Sequence, residues 1–148
     1  MVAPKQVVTV HRFGPDADPA QRALLLSPRD DLVLEEADPA GGYRAASGPF
    51  AEYHRAVDQT AKADGTVVLT ETTDFALAIG AWQVLFNPLV KHSLRHRRPP
   101  GAGAPWWAPP DRFGPREASV LSMLCALVMI SGYLGTLITQ TITFAADE

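Results

Sequence analysis

The chain has 148 residues, with 13 Lys and Arg against 16 Asp and Glu and a formal net charge of -3, so no global positive field favours nucleic acid as a partner. Its one cysteine, Cys125, excludes a disulfide framework within the chain and leaves a thiol-redox or cysteine-ligated metal site without support. Met1 to Gln6 are not followed by the apolar core of a signal peptide, so we expect the N-terminal part to stay in the cytoplasm.

Charge is distributed unevenly along the chain. Every Lys and Arg lies at or before Arg116, whereas Ala118 to Ala146 carries no charge. A stretch rich in Pro, Gly and Trp lies ahead of the uncharged run. This predicts a soluble domain over residues 1–98, a linker over 99–116, and a transmembrane helix with a short acidic end over 117–148.

The first elements are a strand and a short helix. Residues 5–13 read Lys-Gln-Val-Val-Thr-Val-His-Arg-Phe, which is typical of a strand. Asp16 to Pro19 supplies a capping residue and a proline for the first turn, and this predicts a helix from Ala20 to about Leu26.

Two pairs of β segments follow, each joined by a glycine-containing turn. The first pair is Leu32 to Glu36 with Tyr43 to Ser47, and the second is Phe50 to about Thr60 with Thr66 to Ile79. Asp64-Gly65 between the last two is a dipeptide that accepts positive φ in a tight turn. The sequence therefore predicts two hairpins in a small antiparallel sheet.

One face of the last strand is polar in its middle. Side chains at every second position of a strand share a face. On this face the apolar residues Val67, Leu69, Phe75, Leu77 and Ile79 lie on either side of Glu71 and Thr73. Inward polar groups between apolar ones can orient a bound ligand, so Glu71 and Thr73 are candidate ligand-binding residues.

After Gly80 the period becomes helical. An apolar stripe predicted to face the core comprises Trp82, Leu85, Phe86, Leu89, Val90 and Leu94. Pro88 would kink this helix or restart it. Its end and the residues after it are basic, just ahead of the apolar run, so we expect anionic lipid headgroups to bind Lys91, Arg95, Arg97 and Arg98.

No catalytic or metal-binding constellation stands out, so we predict neither an enzyme nor a cofactor. His92 and His96 lie four residues apart on one helix face, but no Cys or acidic neighbour completes a metal site, and a basic surface explains them better. His54, Arg55 and Asp58 could meet Glu71 across the second hairpin; a solvent-facing strand surface explains them as well.

The segment from Pro99 to Pro115 has no periodicity typical of regular structure. Trp106, Trp107 and Phe113 in this segment are predicted to anchor the chain in the headgroup zone, because indole rings favour that zone next to a span. A proline-rich ligand for a partner domain is the alternative.

The uncharged run is long enough to cross a bilayer. A helix over Ala118 to Ala146 would be roughly 43 Å long, compared with a hydrocarbon core of roughly 30 Å. Basic residues precede the run and only Asp147 and Glu148 follow it, which indicates that the N-terminal side is cytoplasmic. We expect the protein in the cell (inner or plasma) membrane, with membrane lipids as partners.

The predicted span also carries a polar stripe. Thr136, Thr139, Gln140 and Thr143 recur at spacings of three and four, and Ser131 with Gly135 forms a small-xxx-small pair. A lone anchor needs no polar stripe, so we expect these residues to face other transmembrane helices or a translocation path; a plain anchor stays the alternative.

The order strand, short helix, antiparallel strands and C-terminal amphipathic helix resembles START-like (SRPBCC) domains, which have the helix-grip fold. The segments that carry the resemblance, to polyketide cyclase-related proteins, are Tyr53 to Val57, Gly65 to Glu71 with Phe75, and Phe86 to Leu94. It covers residues 5–98, fewer than is usual for such domains. It implies a ligand cavity between the last helix and the sheet, and so a hydrophobic small molecule as ligand.

The run Leu124 to Glu148 is similar to the first transmembrane helix of major facilitator superfamily (MFS) transporters. That resemblance implies that the chain is the N-terminal segment of such a transporter and carries a cytoplasmic START-like domain. The alternative is a complete single-span protein whose anchored domain binds a hydrophobic ligand or a protein partner. In either case the predicted fold is α+β: a small antiparallel sheet, an amphipathic helix and one transmembrane helix.

Overall fold

The computed structural model describes residues 4–99, 101–108 and 112–146, with side chains as far as Ile142. Within these residues, five strands form one antiparallel sheet in the order β1-β5-β4-β3-β2, which confirms the predicted α+β class. In chain order the elements are β1 (Lys5–Phe13), α1 (Pro19–Leu26), β2 (Leu34–Ala37), β3 (Tyr43–Ser47), β4 (Phe50–Ala61), β5 (Val67–Leu77), a 3-10 turn (Gly80–Trp82), α2 (Gln83–Arg95) and α3 (Pro115–Ala146).

Local chemistry sets several of these boundaries. The carboxylate of Asp18 accepts a hydrogen bond from the Ala20 amide at 2.8 Å and caps α1, whose first residue is Pro19. The amide of Thr66 donates to Asp64 Oδ1 at 2.9 Å, and Gly65 has a φ of 79°. The turn between β4 and β5 therefore lies where the Asp-Gly pair predicts it.

The core lies between one face of the sheet and α2, which packs against β1 and β5. Phe75, Leu77 and Val7 from these strands meet Val90 and Leu94 from the helix. Leu69, Glu71 and Thr73 are buried on the same face of β5, as the period-two pattern predicts. A smaller cluster of Phe13, Leu25 and Leu69 holds α1 against the sheet.

The predicted apolar stripe of α2 is only partly correct. Val90 and Leu94 are buried and Phe86 is partly buried against the core, whereas Leu85 and Leu89 are exposed. Each of these two leucines precedes a core-facing residue by one position, which turns its side chain about 100° around the helix axis. The helix continues through Pro88 without restarting.

The described residues of the linker ahead of α3 are irregular, as predicted, but they are folded onto the domain. Trp107 and Ala108 pack against the core, with the Trp107 and Phe86 rings 6.2 Å apart. Trp107 therefore covers part of the core, and its role as an interfacial anchor stays a prediction. Its neighbour Trp106 is exposed, and Phe113 is partly buried.

The long helix α3 has 32 residues, which corresponds to a length of about 48 Å. Its segment Pro115–Ile142 is long and apolar enough to cross a membrane, and its most apolar window is not buried in the structure. The first turns of α3 nevertheless contact the domain. Ala118 is buried, and the Trp82 indole N–H donates to the Ser122 carbonyl at 3.0 Å.

Candidate functional site: an apolar cavity beside a buried ion-pair network

Two features dominate the interior: a network of buried charges under the sheet, and an apolar cavity beside it. The network begins with Arg55 on β4, whose Nη2 and Nε lie 2.6 and 2.8 Å from the two carboxylate oxygens of Glu35. Nη1 and Nη2 also donate to the carbonyls of Leu25 and Ser27 at 3.1 and 2.9 Å, so every nitrogen of the guanidinium has an acceptor. The Tyr53 hydroxyl donates to Glu35 at 2.5 Å. Arg55 is thus fully paired, as a buried charge must be.

A second buried arginine joins the loop after α1 to α2. Arg29 pairs with Asp31 at 2.8 Å and lies 3.4 Å from Glu71 on β5. It also donates to the carbonyls of Leu94 and Ser93 at 2.8 and 2.9 Å. These are carbonyls of the last turn of α2, where a positive charge is favourable. Arg29 therefore fixes the C-terminal end of α2 against the sheet.

Sequence reasoning missed most of this network, and one of its alternatives was wrong. Arg55 does not lie on a solvent face: it is completely buried, opposite Thr73 in the sheet. The sequence did contain a signal for its burial, since Arg55 lies two residues after Tyr53 in β4 and therefore on the same face of the strand. For Arg29 and Asp31 there was no such signal, because they lie in a loop, where side chains follow neither the helical nor the strand repeat.

The pairing shifts the pKa values of the buried groups. Burial alone would raise the pKa of Asp31, but its hydrogen bond to Arg29, the charge of Arg29 and two backbone N–H groups lower it overall. Burial alone would lower the pKa of Arg29 and Arg55; the partners Asp31 and Glu35, respectively, raise both. Burial, followed by the charge of Glu35, raises the pKa of Tyr53 well above its usual value, so Tyr53 stays protonated as the donor.

Glu71 and Thr73, the candidate ligand-binding residues of β5, are both buried in this interior. Glu71 faces Arg29, and Thr73 is paired in the sheet with Val7 and Arg55. Neither residue is among the described residues that line the cavity. Arg29 of this network and the core residues Val90 and Leu94 lie where α2 packs on the sheet.

The cavity lies beside α2, between the end of β5, the linker and the first turns of α3, and has a volume of about 290 Å³. Its walls are almost entirely apolar. The sheet side contributes Leu32, Gly48, Pro49, Leu77 and Ile79, the helical side Trp82, Phe86 and Val90, the linker Ala104, Trp107, Ala108, Arg112 and Phe113, and α3 Ala118, Leu121, Ser122 and Cys125. An apolar cavity of this kind suits a hydrophobic ligand.

Arg112 is the one ionised side chain among the described lining residues. It pairs with the Asp30 carboxylate and donates to the Asp30 carbonyl at 3.0 Å. The Ser47 hydroxyl donates to the Arg112 carbonyl at 3.2 Å. These bonds hold the end of the linker, and so one wall of the cavity, against the loop that carries Arg29.

The four basic residues predicted to bind headgroups divide into two pairs. Arg97 donates to the carbonyls of Ser27 and Pro28 at 3.1 and 2.6 Å, and Arg98 donates to the Ala104 carbonyl at 2.8 Å. Burial and the nearby charges of Arg55 and Arg29 lower the pKa of Arg97. Lys91 and Arg95 make no salt bridge within the described part of the chain, and they are the pair that faces outward.

The described residues of the polar stripe of α3 lie on an exposed helix surface. The hydroxyls of Thr136 and Thr139 donate to the carbonyls of Gly132 and Gly135, four residues earlier, at 3.0 and 2.9 Å. Bonds of this type satisfy a hydroxyl in an apolar environment without a partner helix. Gln140 is exposed, and the side chain of Thr143 lies outside the described residues.

His92 and His96 lie with their ring centres 4.4 Å apart, and a ring nitrogen of His96 lies 3.0 Å from the His92 carbonyl oxygen. Within the described segments, no group of three or more His, Cys, Asp or Glu side chains is arranged to hold a metal ion.

A comparison of two arginine substitutions tests the buried network. Arg55→Leu should lower the free energy of unfolding by about 3–5 kcal/mol, because Glu35 is left buried without its partner. Arg44→Leu removes the exposed Arg44–Glu36 pair, at 2.8 Å, and should change stability by less than about 1 kcal/mol. Urea unfolding of the full chain in detergent micelles, followed by tryptophan fluorescence, measures both. Equal effects would contradict the assigned role of Arg55.

The lowered pKa of Asp31 predicts a pH dependence of stability. The ionised form is favoured by folding, so its contribution is complete above the ordinary pKa of about 3.9 and is lost as the pH falls through the lower folded pKa. Asp31→Asn should therefore cost about 1–3 kcal/mol at pH 6, and less with each step from pH 4 towards pH 2. A difference between the two proteins that is constant over this range, in urea titrations, would rule out the linkage.

No protein-family model, curated protein or solved structure matches the chain. The resemblances to START-like domains and to facilitator helices therefore stay predictions, and the function has to be inferred from the site itself.

Proposed function

We propose that the chain is a membrane-anchored module that binds a hydrophobic ligand where its folded domain meets its transmembrane helix. The observation that carries this proposal is the apolar cavity of about 290 Å³, whose walls come from the domain, the linker and the first turns of α3 together. Its volume is near the lower end of the range for small-molecule sites, roughly 300–1,000 Å³.

The length of α3 supports this arrangement. A bilayer requires about 20 apolar residues, and α3 has 32, so about a dozen are in excess. Residues of the N-terminal part of α3 as far as Cys125 line the cavity. The remainder, Ala126 to Ala145, is about 20 residues long and can cross the hydrocarbon core. The cavity then lies at the membrane surface, where hydrophobic molecules are concentrated.

The chemistry of the walls limits the ligand class. Each methylene group moved from water into an apolar site contributes about 0.8 kcal/mol, so affinity here comes from alkyl or aromatic surface. Arg112 is already paired with Asp30, so it offers no free charge to a strongly anionic ligand. We infer that the ligand is an acyl chain or a small, mostly apolar molecule.

The proposed location is the cell membrane, with the domain on the cytoplasmic side. The support is the excess of basic residues on the N-terminal side of the uncharged run, including Lys91, Arg95, Arg112 and Arg116. The START-like resemblance also implies a hydrophobic ligand. The cavity supports that ligand class, and its walls include the linker and α3 in addition to α2 and the end of β5.

Filling the cavity should prevent ligand binding. Ala104→Phe adds an aromatic ring at a wall position, whereas Ala102→Phe adds the same ring at an exposed position of the same linker that does not line the cavity. We expect Ala104→Phe to reduce, at least fivefold, the photocrosslinking of a diazirine-labelled fatty acid to Phe86 and Ile79. The full chain in lipid nanodiscs is irradiated and the crosslinks are located by mass spectrometry.

The Ala102→Phe control should crosslink as the native chain does. Crosslinks confined to the lipid-exposed part of α3, or an equal yield at the wall residues in all three proteins, would show that the probe labels bulk lipid only. The ligand-binding proposal would then fail.

A second candidate function is the one implied by the facilitator resemblance, in which the chain is the N-terminal segment of a transporter. The open face of α3 supports it, because a Cβ at Gly132 or Gly135 would meet no atom within 4 Å, so another helix can approach closely there. The hydroxyl bonds of Thr136 and Thr139 weaken it, because they satisfy half of the polar stripe without a partner.

The size of the native protein separates the two candidates. An antibody against residues 1–98 should detect a band near 15.9 kDa in membranes of the source organism if the chain is an anchored module. A band several times larger, together with loss of association or transport in Gln140→Leu, would favour the transporter.

A further inference from the structure

The outward face of α2 is unlike the surface of a water-exposed helix. Its first two turns present Val84, Leu85, Pro88 and Leu89, and the exposed fractions of Val84, Leu85 and Leu89 are 81%, 62% and 37%. A surface helix normally places polar residues on the face opposite its core stripe. Here both faces of the N-terminal half are apolar, so the outward face is suited to an apolar partner.

The C-terminal half of the same face is cationic. Lys91, His92, Arg95 and His96 are exposed or partly exposed there, and α2 contains no acidic residue. A helix in a membrane interface places apolar residues among the acyl chains and cations at lipid phosphates. The outward face of α2 offers both kinds, the apolar residues in its N-terminal half and the cations in its C-terminal half.

The position of this face agrees with that pattern. Trp82, directly before α2, donates to the Ser122 carbonyl of α3, and Phe86 shares the cavity wall with Leu121 and Cys125. The apolar half of α2 therefore lies next to the part of α3 where the exposed apolar surface of the proposed span begins. The two apolar surfaces adjoin, and a bilayer around α3 would extend to α2.

We propose that the outward face of α2 is a membrane-contact surface for a bilayer that contains anionic lipids. Val84, Leu85 and Leu89 enter the outer part of the hydrocarbon layer, and Lys91 and Arg95 lie at the phosphates. Trp106, which is 93% exposed and follows in the linker that packs on α2 through Trp107, adds an indole suited to the same zone. This inference rests on the proposed membrane anchor, and it implies that the side of the domain that carries α2 faces the membrane.

The chain offers a matched control on another surface. Val8 and Val10 of β1 are also apolar and half exposed, but they lie on the opposite sheet face from Val7, which packs against α2. If exposed valines and leucines simply faced water, labels at these positions and on α2 would behave alike.

The test is a depth measurement on the full chain in nanodiscs of phosphatidylcholine and phosphatidylglycerol. In a Cys125→Ser background, Leu85→Cys, Val10→Cys and Ile130→Cys are labelled one at a time with an environment-sensitive fluorophore. We expect nitroxide lipids to quench the label at position 85 at least threefold more than the label at position 10. The label at position 130 should be quenched by nitroxides deep in the bilayer.

The outcomes separate the two proposals. If the label at position 130 is not quenched, the anchor itself fails. If position 130 is quenched and position 85 behaves as position 10 does, only the contact surface of α2 fails. A label at position 85 that is protected from aqueous iodide but not quenched by lipid would assign the surface to a protein partner and overturn the proposal.

A double substitution tests the role of the cationic half of this face. Lys91→Gln combined with Arg95→Gln should reduce the quenching at position 85 in anionic nanodiscs to the level seen in pure phosphatidylcholine, and leave quenching at position 130 unchanged. Quenching at position 85 that does not depend on these two residues or on the anionic lipid would overturn the assignment of the phosphates to them.

Discussion

The pairing of Arg29 and Arg55 with buried carboxylates is the constraint on which the rest of the structure depends. An arginine enclosed in protein is tolerated only when its charge and its N–H groups all have partners. Arg55 reaches from β4 to Glu35 and to the end of α1, while Arg29 reaches from the loop after α1 to the last turn of α2. The loop after α1, which carries Arg29, is thereby held between the sheet and both helices.

The same loop also determines the path of the chain from α2 to α3. Arg97 donates to Ser27 and Pro28, and Arg112 binds Asp30, so the linker is attached to this loop at both of its ends. Trp107 then lies against Phe86, and the second turn of α3 lies next to Trp82. The cavity is the space enclosed by this path. Its shape follows from polar contacts, although its walls are apolar.

Helix α2 has different partners on its two sides. Val90 and Leu94 belong to the core, and Phe86 and Val90 line the cavity. Leu85 and Leu89 remain outside both. One helix therefore contributes to folding, to the proposed ligand site and to the proposed membrane contact, and the membrane contact is separated from the other two roles by rotation around its axis.

The sequence by itself determined the strands, the α+β class and the apolar helix, because alternation, capping residues and an uncharged run are local properties that each segment carries alone. Lys5–Phe13 and the inward parity of Glu71 and Thr73 are examples. Only the tertiary structure decided that Arg29 and Arg55 are buried, that Trp107 covers the core and that the cavity lies beside α2. Each of these depends on contacts between residues distant in the chain, such as Arg29 with Leu94, and no local period records such a contact.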